Sequence, residues 1–582
     1  MEILVANSVG VDRDGYHMVH VPSRWSLGVK NFTNCGYYPW QLAYTSSLLK
    51  RDTPHTIKFM DGVLKGWDVD TYLQHAGKPD WLIMESSTRT IREDLRFAAA
   101  LKENFGTRLI FTGQHPMAHP EEVLKTADHV CIGEYEFAVL DLVQGKDPKK
   151  IAGVYPNERG SLIDINLLPF PEDDDVNRID YHEPNCRYKQ IQMYGSRGCP
   201  RRCNFCAAAT LYYDELNWRP RDVDNVVKEI QTLHEKYPEM EGVFFDEEVH
   251  NIKKSFNVSL AKGIRKAGLQ NLKYEAMCEY ASLDEEAMEE MRKAGYYKIR
   301  FGIETGSDHV AEKMTLGKKH DLKKLKTMVE FGKSIGMLFY GTISVGGLGS
   351  DKNEDQKTVD LVYDLAAKGW LDEVQVSINT PQPGTDFYNS CAEESLIPTS
   401  NDWQGFDGNG HVVVNYPHYP AEEIQASFRK ALNAFDLGKG KAQATVFAIN
   451  TNASTISAGS KILILRCVRS WMMRLILENL YPKNKADVLG QDISLDDLKD
   501  VSGLGDFYSY GSGFFATESI TSELIKELKE KNYDLVLIPV ANNHLEGFQN
   551  VLEVAQLIEP ENISFVYPEG RIQPAEDSPV SI

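Results

Sequence analysis

Three cysteines in one short segment are the residues whose type and spacing point most directly to chemistry. Cys199, Cys203 and Cys206 stand in the order C-x3-C-x2-C, directly after a short apolar strand predicted over 189–194. Three thiolates on one loop can ligate three irons of a 4Fe-4S cluster and leave the fourth iron without a protein ligand. The spacing therefore predicts a cluster whose open iron binds a substrate or cofactor.

Two other interpretations of these cysteines stay open at this point. A zinc site would need a distant fourth ligand or a catalytic water, and zinc has no preference for this spacing. Three unrelated core thiols are the simplest alternative, although glycine and arginine flank the run where core residues would be expected. The other cysteines are scattered and are typical of small core residues: Cys35, Cys131, Cys186, Cys278, Cys391 and Cys467.

Length and charge limit the domain count and the classes of partner. The chain has 582 residues and a formal net charge of −21, which suggests about three or four domains. A nucleic-acid partner is not expected, because the phosphate backbone requires a basic face. Arginines are nevertheless clustered around the cysteines, where they either form a solvated surface or hold a carboxylate or phosphate: Arg197, Arg201, Arg202, Arg219 and Arg221.

The sequence predicts a cytoplasmic protein. It opens directly on a strand, without the basic and apolar regions of a signal peptide. No stretch of about 18 apolar residues occurs, so no transmembrane segment is expected. The cysteines show no regular pairing, which is typical of a reducing compartment.

Residues 1–150 alternate short apolar runs with segments of helical period. Strands are predicted over 3–6, 56–60, 81–84, 109–112 and 129–132, and helices over 40–51 and 90–105. This alternation predicts a parallel, doubly wound, Rossmann-like sheet. Ligands of such sheets lie at the carboxyl ends of the strands, where this sequence places polar or flexible residues: Ser86, Ser87, Thr88, Gly113, Gln114, His115, Gly133, Glu134 and Glu136.

Residues 188–390 show six further strand-helix steps. The predicted strands cover 189–194, 242–248, 272–277, 298–304, 338–345 and 373–379, and the predicted helices cover 223–236, 254–266, 284–294, 321–335 and 354–368. Six steps predict a partial, open (βα)6 barrel, whose sites lie at the carboxyl ends of its strands. The cysteine loop follows the first of these strands.

Polar segments at the strand ends complete the pattern around the cysteines. They cover residues 218–221, 245–247, 301–307, 346–347 and 380–385. Together with the cysteine loop, these segments resemble those of the radical S-adenosylmethionine (radical SAM) superfamily. The resemblance implies that a 4Fe-4S cluster on the three cysteines cleaves S-adenosylmethionine to a 5′-deoxyadenosyl radical. It implies S-adenosylmethionine contacts from Phe205, Asp246, Glu247, Glu304, Ser307, Gly346 and Gly347.

The N-terminal domain is similar to the cobalamin-binding domain of one branch of this superfamily, the class B methyltransferase-like branch. Gly113-Gln-His-Pro and Gly133-Glu-Tyr-Glu resemble its Gly-Gly-Pro-His and Gly-Glu-Gly-Glu turns, with the second glycine of each replaced. The resemblance implies that cobalamin binds at the polar strand ends of residues 1–150 named above. Val63 stands where classical carriers have a histidine, which implies that cobalt receives no imidazole from this loop.

A Rossmann-like module that binds a nucleotide, or nothing, is the alternative for this domain. No Gly-x-Gly-x-x-Gly follows its first strand. The other expected divisions are a proline-rich, acidic linker over 151–187, a barrel edge over 391–440 that includes a possible substrate wall at 402–410, and an accessory open-sheet α/β domain over 441–582. The last of these shows no family pattern.

The sequence thus predicts a cobalamin-dependent radical SAM methyltransferase that acts on an unactivated carbon. A cyclase, ring-contraction or other rearrangement enzyme built from the same parts is the alternative enzyme, and an iron-sulfur scaffold or binding protein is the non-catalytic alternative. The expected partners are a small-molecule, lipid-precursor or peptide substrate and an electron donor such as flavodoxin or ferredoxin. No residue is assigned a catalytic role beyond cofactor binding.

Overall fold

The computed structural model describes residues 1–11, 36–181, 183–316, 320–398, 403–407, 411–444, 447, 456–511, 515–541, 545 and 548–577. Some sequence predictions fall outside these ranges, namely Cys35, positions 402 and 408–410 of the expected substrate wall, residues 542–544 at a predicted strand end, and the tail from 578. The chain divides into two compact units. The first comprises residues 1–183, 189–361 and 370–431, and the second comprises 184–188, 362–369 and 432–582.

The first unit begins with a five-stranded sheet in the order β2-β1-β3-β4-β5. Its strands are β1 (Glu2–Ala6), β2 (Thr56–Met60), β3 (Trp81–Glu85), β4 (Arg108–Thr112) and β5 (His129–Val130). Its helices are α1 (Trp40–Asp52), α2 (Gly62–Lys65), α3 (Val69–Ala76), α4 (Ile91–Phe105), α5 (Gln114–Ala118), α6 (Pro120–Val123) and α7 (Glu136–Val143). All strand pairings are parallel, so the predicted doubly wound sheet is confirmed.

The strands of this sheet are apolar along most of their length because helices cover both faces. All five residues of β3 are buried. Leu82 and Met84 of β3 join a core with Phe97 and Leu101 of α4 on one face. The alternation of apolar strands and amphipathic helices in the sequence follows from this layered packing.

The barrel of the first unit contains six parallel strands in sequence order, β6-β9-β10-β11-β12-β13. The strands of this region are β6 (Gln190–Met193), β7 (Ser196–Arg197), β8 (Arg219–Pro220), β9 (Gly242–Phe245), β10 (Lys273–Cys278), β11 (Tyr296–Glu304), β12 (Leu338–Val345) and β13 (Glu373–Ile378), of which β7 and β8 form a separate antiparallel ribbon. The helices are α8 (Val223–Lys236), α9 (Lys254–Lys266), α10 (Glu285–Lys293), α11 (Asp308–Lys313), α12 (Leu322–Ser334), α13 (Lys352–Ala367), α14 (Asp386–Glu393) and α15 (Ala421–Gln443). The predicted partial (βα)6 barrel is confirmed.

Gly242 begins β9 at a point where the next strand comes very close. A Cβ atom at this position would lie 1.9 Å from the carbonyl oxygen of Lys273, a separation that real Cβ atoms do not show. Lys273 is the register partner of Gly242 in the β9–β10 ladder. Only glycine therefore fits this position without moving a barrel strand.

We expect Gly242→Ala to lower the thermal unfolding midpoint, because the new methyl group must displace β10. Overpacking of this kind typically costs about 1–3 kcal/mol. Gly440→Ala is the control, since a Cβ on that helical residue meets nothing within 4 Å. The control should be neutral or slightly stabilising, by up to about 1 kcal/mol. Equal midpoints for Gly242→Ala and the wild type would contradict the close approach.

The second unit contains a six-stranded sheet in the order β16-β15-β14-β17-β18-β19. Its strands are β14 (Ile462–Leu465), β15 (Ala486–Gly490), β16 (Leu504–Ser509), β17 (Leu535–Pro539), β18 (Asn562–Val566) and β19 (Ile572–Pro574). Its helices are α16 (Ser470–Leu480), α17 (Ser494–Leu498), α18 (Ser522–Glu530) and α19 (Gln549–Ile558). Only β19 is antiparallel among the pairings of this sheet in the described residues, and the predicted small open-sheet α/β fold is confirmed.

Two strands of the second unit had no counterpart in the sequence prediction, β16 and β19. Gly505 and Asp506 interrupt β16, and both residue types are depleted in strands. β19 is only three residues long. None of the helices in the described ranges has the length and apolar character needed to cross a bilayer.

Candidate functional site

The carboxyl ends of the barrel strands surround a cavity of about 240 Å³. Cys199, Cys203 and Cys206 are half-buried free thiols that line this cavity together. Phe205 and Glu304, two of the residues expected to contact S-adenosylmethionine, line the same cavity. The fold thus brings together residues that are up to about a hundred positions apart in the sequence at the end of the barrel where sites are found.

The path of the cysteine loop is fixed by hydrogen bonds to other parts of the barrel. The Cys203 thiol donates to the carbonyl oxygen of Leu316. The Asn204 amide donates to Met314 O at 3.2 Å, and the Phe387 amide donates to Asn204 O at 2.8 Å. Within the described ranges, no group of three His, Cys, Asp or Glu side chains lies close enough to hold a single metal ion. The three thiols instead share the wall of one larger cavity.

Glu304 reaches the cavity from an irregular strand end. Its φ of 65° lies in the left-handed region, and the β11–β12 register shifts between Gly302 and Glu304. Such a bulge redirects a side chain at the end of a strand, and left-handed non-glycine residues are concentrated at functional sites. The backbone strain at Glu304 therefore accompanies the placement of its carboxylate in the cavity wall.

Glu247 lies behind the cysteine loop and does not line the cavity. Its carboxylate accepts hydrogen bonds from the Ser196 amide and hydroxyl, both at 3.0 Å, and from the Gly195 amide. His250 Nδ1 lies 2.6 Å from the same carboxylate. Asp246 is also buried, and its amide donates to Met193 O at 3.0 Å. S-adenosylmethionine contacts from Asp246 and Glu247 stay predictions, whereas the structure gives Glu247 a role in holding the start of the loop.

Ser307, Gly346 and Gly347 likewise make contacts within the protein. Ser307 Oγ accepts a hydrogen bond from the Val310 amide at 3.2 Å and so caps the N-terminus of α11. The Gly346 amide donates to the Asp355 carboxylate at 2.9 Å. A Cβ at Gly347 would lie 2.4 Å from the Met314 sulfur. None of these three residues lines the cavity, so their expected contacts with S-adenosylmethionine also stay predictions.

The residues expected to bind cobalamin gather at the carboxyl edge of the N-terminal sheet. All of them are buried: Ser86, Ser87, Thr88, Gly113, Gln114, His115, Gly133, Glu134 and Glu136. Ser86 Oγ donates to Asp94, which also accepts from Ser8 Oγ at 3.1 Å. Gly113 packs directly on β3, because a Cβ there would lie 2.5 Å from Ser86 O. The sheet topology therefore brings these residues to one edge, as the strand ends predict.

Buried polar atoms without hydrogen-bond partners lie at this same edge. They include Glu85 Oε2, His115 Nδ1 and Glu136 Oε2. The other oxygen of Glu85 accepts from Tyr212 Oη at 3.3 Å, and Tyr212 belongs to the π-helix Ala208–Tyr213 that follows the cysteine loop. Buried polar groups normally have partners. The edge therefore fits a ligand that carries several hydrogen-bonding groups, as the amide-bearing rim of cobalamin does.

Glu134 and Glu136 are bound to the barrel through Arg197. Arg197 Nη1 donates to Glu134 Oε1 at 3.0 Å and to Glu136 Oε1 at 2.8 Å. Burial alone would raise the pKa of Glu134, but Arg197 and Arg219 outweigh it, so that pKa lies below its ordinary value. Burial and the repulsion of Glu134 raise the pKa of Glu136. Of the two expected cobalamin ligands, Glu134 is therefore the firmly ionised partner of the arginines.

Comparison with known proteins agrees with this geometry. Residues 193–362 match the family model of the Radical SAM superfamily. The match runs from the end of β6 past β12 and includes the three cysteines. The chain is 25% identical over 419 residues to an uncharacterized methyltransferase of Pyrococcus horikoshii, an alignment that covers 69% of this chain and 88% of that protein.

Two solved structures share the fold of this chain at low sequence identity. One is the radical S-adenosylmethionine methyltransferase TsrM from Kitasatospora setae with tryptophan substrate and a SAM analog bound, with a TM-score of 0.54, 13% identity and coverage of 73% of this chain and 82% of that chain. The other is the cobalamin-dependent S-adenosylmethionine radical enzyme OxsB with aqua-cobalamin and S-adenosylmethionine bound, with a TM-score of 0.56, 13% identity and coverage of 76% and 66%.

Several residues that line the cavity were not identified from the sequence. Glu248 lines the cavity in place of its neighbours 246 and 247, and it accepts from Tyr213 Oη at 2.7 Å. Thr342 and Ser344 of β12 and Gln375 and Ser377 of β13 form an uncharged polar wall. Alternating polar residues on a strand look like a solvent-facing side. Only the three-dimensional arrangement of the barrel strands shows that these four side chains face a cavity.

The arginines around the cysteines are paired with carboxylates. Arg201 Nε and Nη2 donate to Glu279 at 3.0 and 3.2 Å, and Arg221 forms a buried ion pair with Glu229. Arg202 contacts the exposed carboxylates of Asp214 and Asp386. The sequence left open whether this cluster is a solvated surface or holds a substrate anion. In the structure, these side chains bind glutamates and aspartates of the protein, and Arg201 also lines the cavity.

The raised pKa of Glu85, at the carboxyl edge of the N-terminal sheet, makes the stability of the folded protein depend on pH. Burial raises the pKa of Glu85 to about 8, from an ordinary value of 4.5. A carboxyl that binds its proton more tightly when folded stabilises the protein fully below the unfolded pKa and loses that contribution as pH rises to the folded pKa. The contribution of Glu85 should therefore decline between pH 4.5 and pH 8.

We expect Glu85→Gln, which stays uncharged, to flatten the decline of the thermal midpoint between pH 4.5 and pH 8. A single carboxyl of this kind accounts for up to about 1.4 kcal/mol per pH unit. Glu103→Gln, on the exposed side of α4, is the control and should keep the wild-type slope. Indistinguishable slopes for Glu85→Gln and the wild type would rule out a protonated Glu85 in the folded protein.

Proposed function

We propose that this protein is a cobalamin-dependent radical SAM methyltransferase that transfers a methyl group to an unactivated carbon. The observation that carries the proposal is the shared cavity wall of Cys199, Cys203, Cys206 and Glu304 at the carboxyl ends of the barrel strands. The second support is the buried polar edge of a parallel sheet in the same unit. The methyltransferase name of the Pyrococcus relative and the cofactors of TsrM and OxsB support the same reaction.

Different residues of the chain would bind three cofactors. Cys199, Cys203 and Cys206 would hold a 4Fe-4S cluster, with Glu304 beside S-adenosylmethionine, and the edge from Ser86 to Glu136 would face cobalamin. When bound, the cluster supplies the electron that cleaves S-adenosylmethionine and cobalamin supplies the methyl group. The protein groups bind, orient and shield these reactants.

The cavity wall provides both hydrogen bonds and exclusion of water. Thr342, Ser344, Gln375 and Ser377 offer hydroxyl and amide groups on one side. Phe205 and Met277 contribute apolar surface to the same cavity. Apolar walls with a few placed polar groups are typical of small-ligand sites, and exclusion of water protects a reactive intermediate from side reactions.

The partners of the reaction are part of the same proposal. We infer a small-molecule, lipid-precursor or peptide substrate and an electron donor such as flavodoxin or ferredoxin. A cytoplasmic location is supported by the cysteines in the described ranges, all of which are free thiols.

The first test is anaerobic reconstitution with iron, sulfide and hydroxocobalamin, followed by desalting and measurement of iron, cobalt and the optical spectrum. We expect about four irons per chain on the three cysteines and one cobalamin. Cys203→Ala should lose most of the iron, whereas Cys131→Ala, which removes a thiol in the N-terminal sheet region, should keep it. Full iron in Cys203→Ala would contradict the assigned cluster site.

The second test follows the methyl group of S-adenosylmethionine labelled with carbon-13. We expect label in methylcobalamin under reducing conditions without substrate, and label in the product once a substrate is found. Release of 5′-deoxyadenosine with no label in cobalamin or product would favour the cyclase or rearrangement reaction. Iron without cobalt in the reconstituted wild type would remove the methyltransferase proposal.

A further inference from the structure

We propose that Arg197, Glu134 and Glu136 form a clamp that fixes the cysteine cavity of the barrel relative to the carboxyl edge of the N-terminal sheet. In this role the three residues are positioning residues, and Glu134 is not a ligand of a cofactor. The inference rests on the proposed function in one respect, since the sheet edge is the proposed cobalamin site.

On the barrel side, a single residue separates the clamp from the first cysteine of the loop. Arg197 ends β7 and precedes Cys199 by a single residue, Gly198. Gly198 has a φ of 93°, and a Cβ there would lie 1.9 Å from the Asn217 side chain. The Gly198 amide donates to Glu248 at 3.2 Å. Because this connection is short and tightly packed, a displacement of Arg197 moves the first cysteine.

On the other side, the clamp holds the turn between β5 and α7. Glu134 lies in that turn, directly after Gly133 with its φ of 75°, and Glu136 is the first residue of α7. Arg197 is fully buried, and its Nη1 reaches both carboxylates. Charges buried in this way hold one arrangement, because separating them leaves an unpaired charge out of water.

A second arginine, on the other strand of the β7–β8 ribbon, also contacts Glu134. Arg219 of β8 is the register partner of Arg197. Its Nη1 and Nη2 donate to the two oxygens of Glu134 at 2.8 and 2.9 Å. The Ile163 amide donates to Glu134 at 2.6 Å. Both strands of the ribbon therefore bind one carboxylate, in a planar geometry that guanidinium groups favour.

These contacts occupy the groups that a cofactor would need. Both oxygens of Glu134 already accept from arginine, and one of them also accepts from Ile163. The same carboxylate therefore has little capacity left for the amide groups of a corrin. A methyl group that passes between two cofactors requires a fixed separation, and the clamp connects the two sites directly.

The experiment uses the full-length, reconstituted protein without substrate. Pulsed dipolar electron paramagnetic resonance measures the distance distribution between the reduced cluster and cob(II)alamin, both of which carry one unpaired spin. Arg197→Lys keeps the charge, but the shorter lysine side chain does not extend as far as Nη1, the single atom that reaches both glutamates. We expect a narrow distribution in the wild type and a shifted or clearly broader one in Arg197→Lys, with iron and cobalt contents unchanged.

Arg202→Lys is the matched control, because Arg202 lies in the same loop and contacts only partly exposed carboxylates. It should reproduce the wild-type distribution. A wild-type distribution in Arg197→Lys overturns the clamp. Loss of cobalt from Arg197→Lys with iron and fold retained also overturns it, since the glutamates would then serve cofactor binding.

Glu136→Ala covers the case in which Arg197→Lys does not fold. It removes the acceptor that Glu136 offers to Arg197 Nη1, leaves the Glu134 contacts in place, and should broaden the distribution less than the loss of Arg197 would, but measurably. If Glu136→Ala folds and matches the wild type, the clamp is overturned. This arm keeps the test independent of the stability of a single variant.

A wild type that binds no cobalt would end the proposed function but would leave the clamp testable by hydrogen exchange. In that case, residues 133–136 and 196–203 should both exchange at least about tenfold faster in Arg197→Lys than in the wild type, because opening the clamp exposes both segments. Faster exchange in one segment alone, or in neither, overturns the clamp.

Discussion

The buried carboxylate of Glu247 is the interaction on which the geometry of the cavity depends. It accepts hydrogen bonds from the Gly195 and Ser196 amides just where the chain leaves β6 and turns towards the cysteines. Each of those amides would cost about 1–3 kcal/mol if it were left buried without a partner. The loop therefore begins at a fixed point, and the hydrogen bonds of Cys203 and Asn204 fix its far end. The positions of the three thiols follow from these two anchors.

Buried ion pairs also hold the barrel in place, and one set of them connects it to the N-terminal sheet. Arg197 contacts Glu134 and Glu136, and Arg300 of β11 contacts Glu183 and Glu275 at 2.6 and 2.7 Å. Burying such groups is expensive unless they are paired and hydrogen-bonded, so they favour one packing over its alternatives. The cavity and the sheet edge lie on either side of one of these contacts.

Much of this arrangement could be predicted from local patterns. The helices Val223–Lys236 and Lys254–Lys266 and the strand Leu338–Val345 have the predicted boundaries, because their apolar periodicity is strong and their ends are polar. β9 ends at Phe245 rather than at the predicted 248, because Glu247 and Glu248 bind the loop outside the ladder. β16 escaped prediction because glycine and aspartate weaken the strand pattern. Boundaries set by tertiary hydrogen bonds leave no local signal.

The sequence by itself determined the cysteine spacing, the three βα series and the resemblance to the radical SAM superfamily, because these depend on residue type and short-range period. It also placed Phe205 and Glu304 at strand ends, where parallel topology brings them to one cavity. Only the tertiary structure decided that Glu248 faces the cavity while Glu247 holds the loop, and that Glu134 and Glu136 bind Arg197. Neighbouring acids of one type differ only in the direction of their side chains and in distant partners. Those directions are fixed by contacts between segments far apart in the chain, which a linear pattern does not contain.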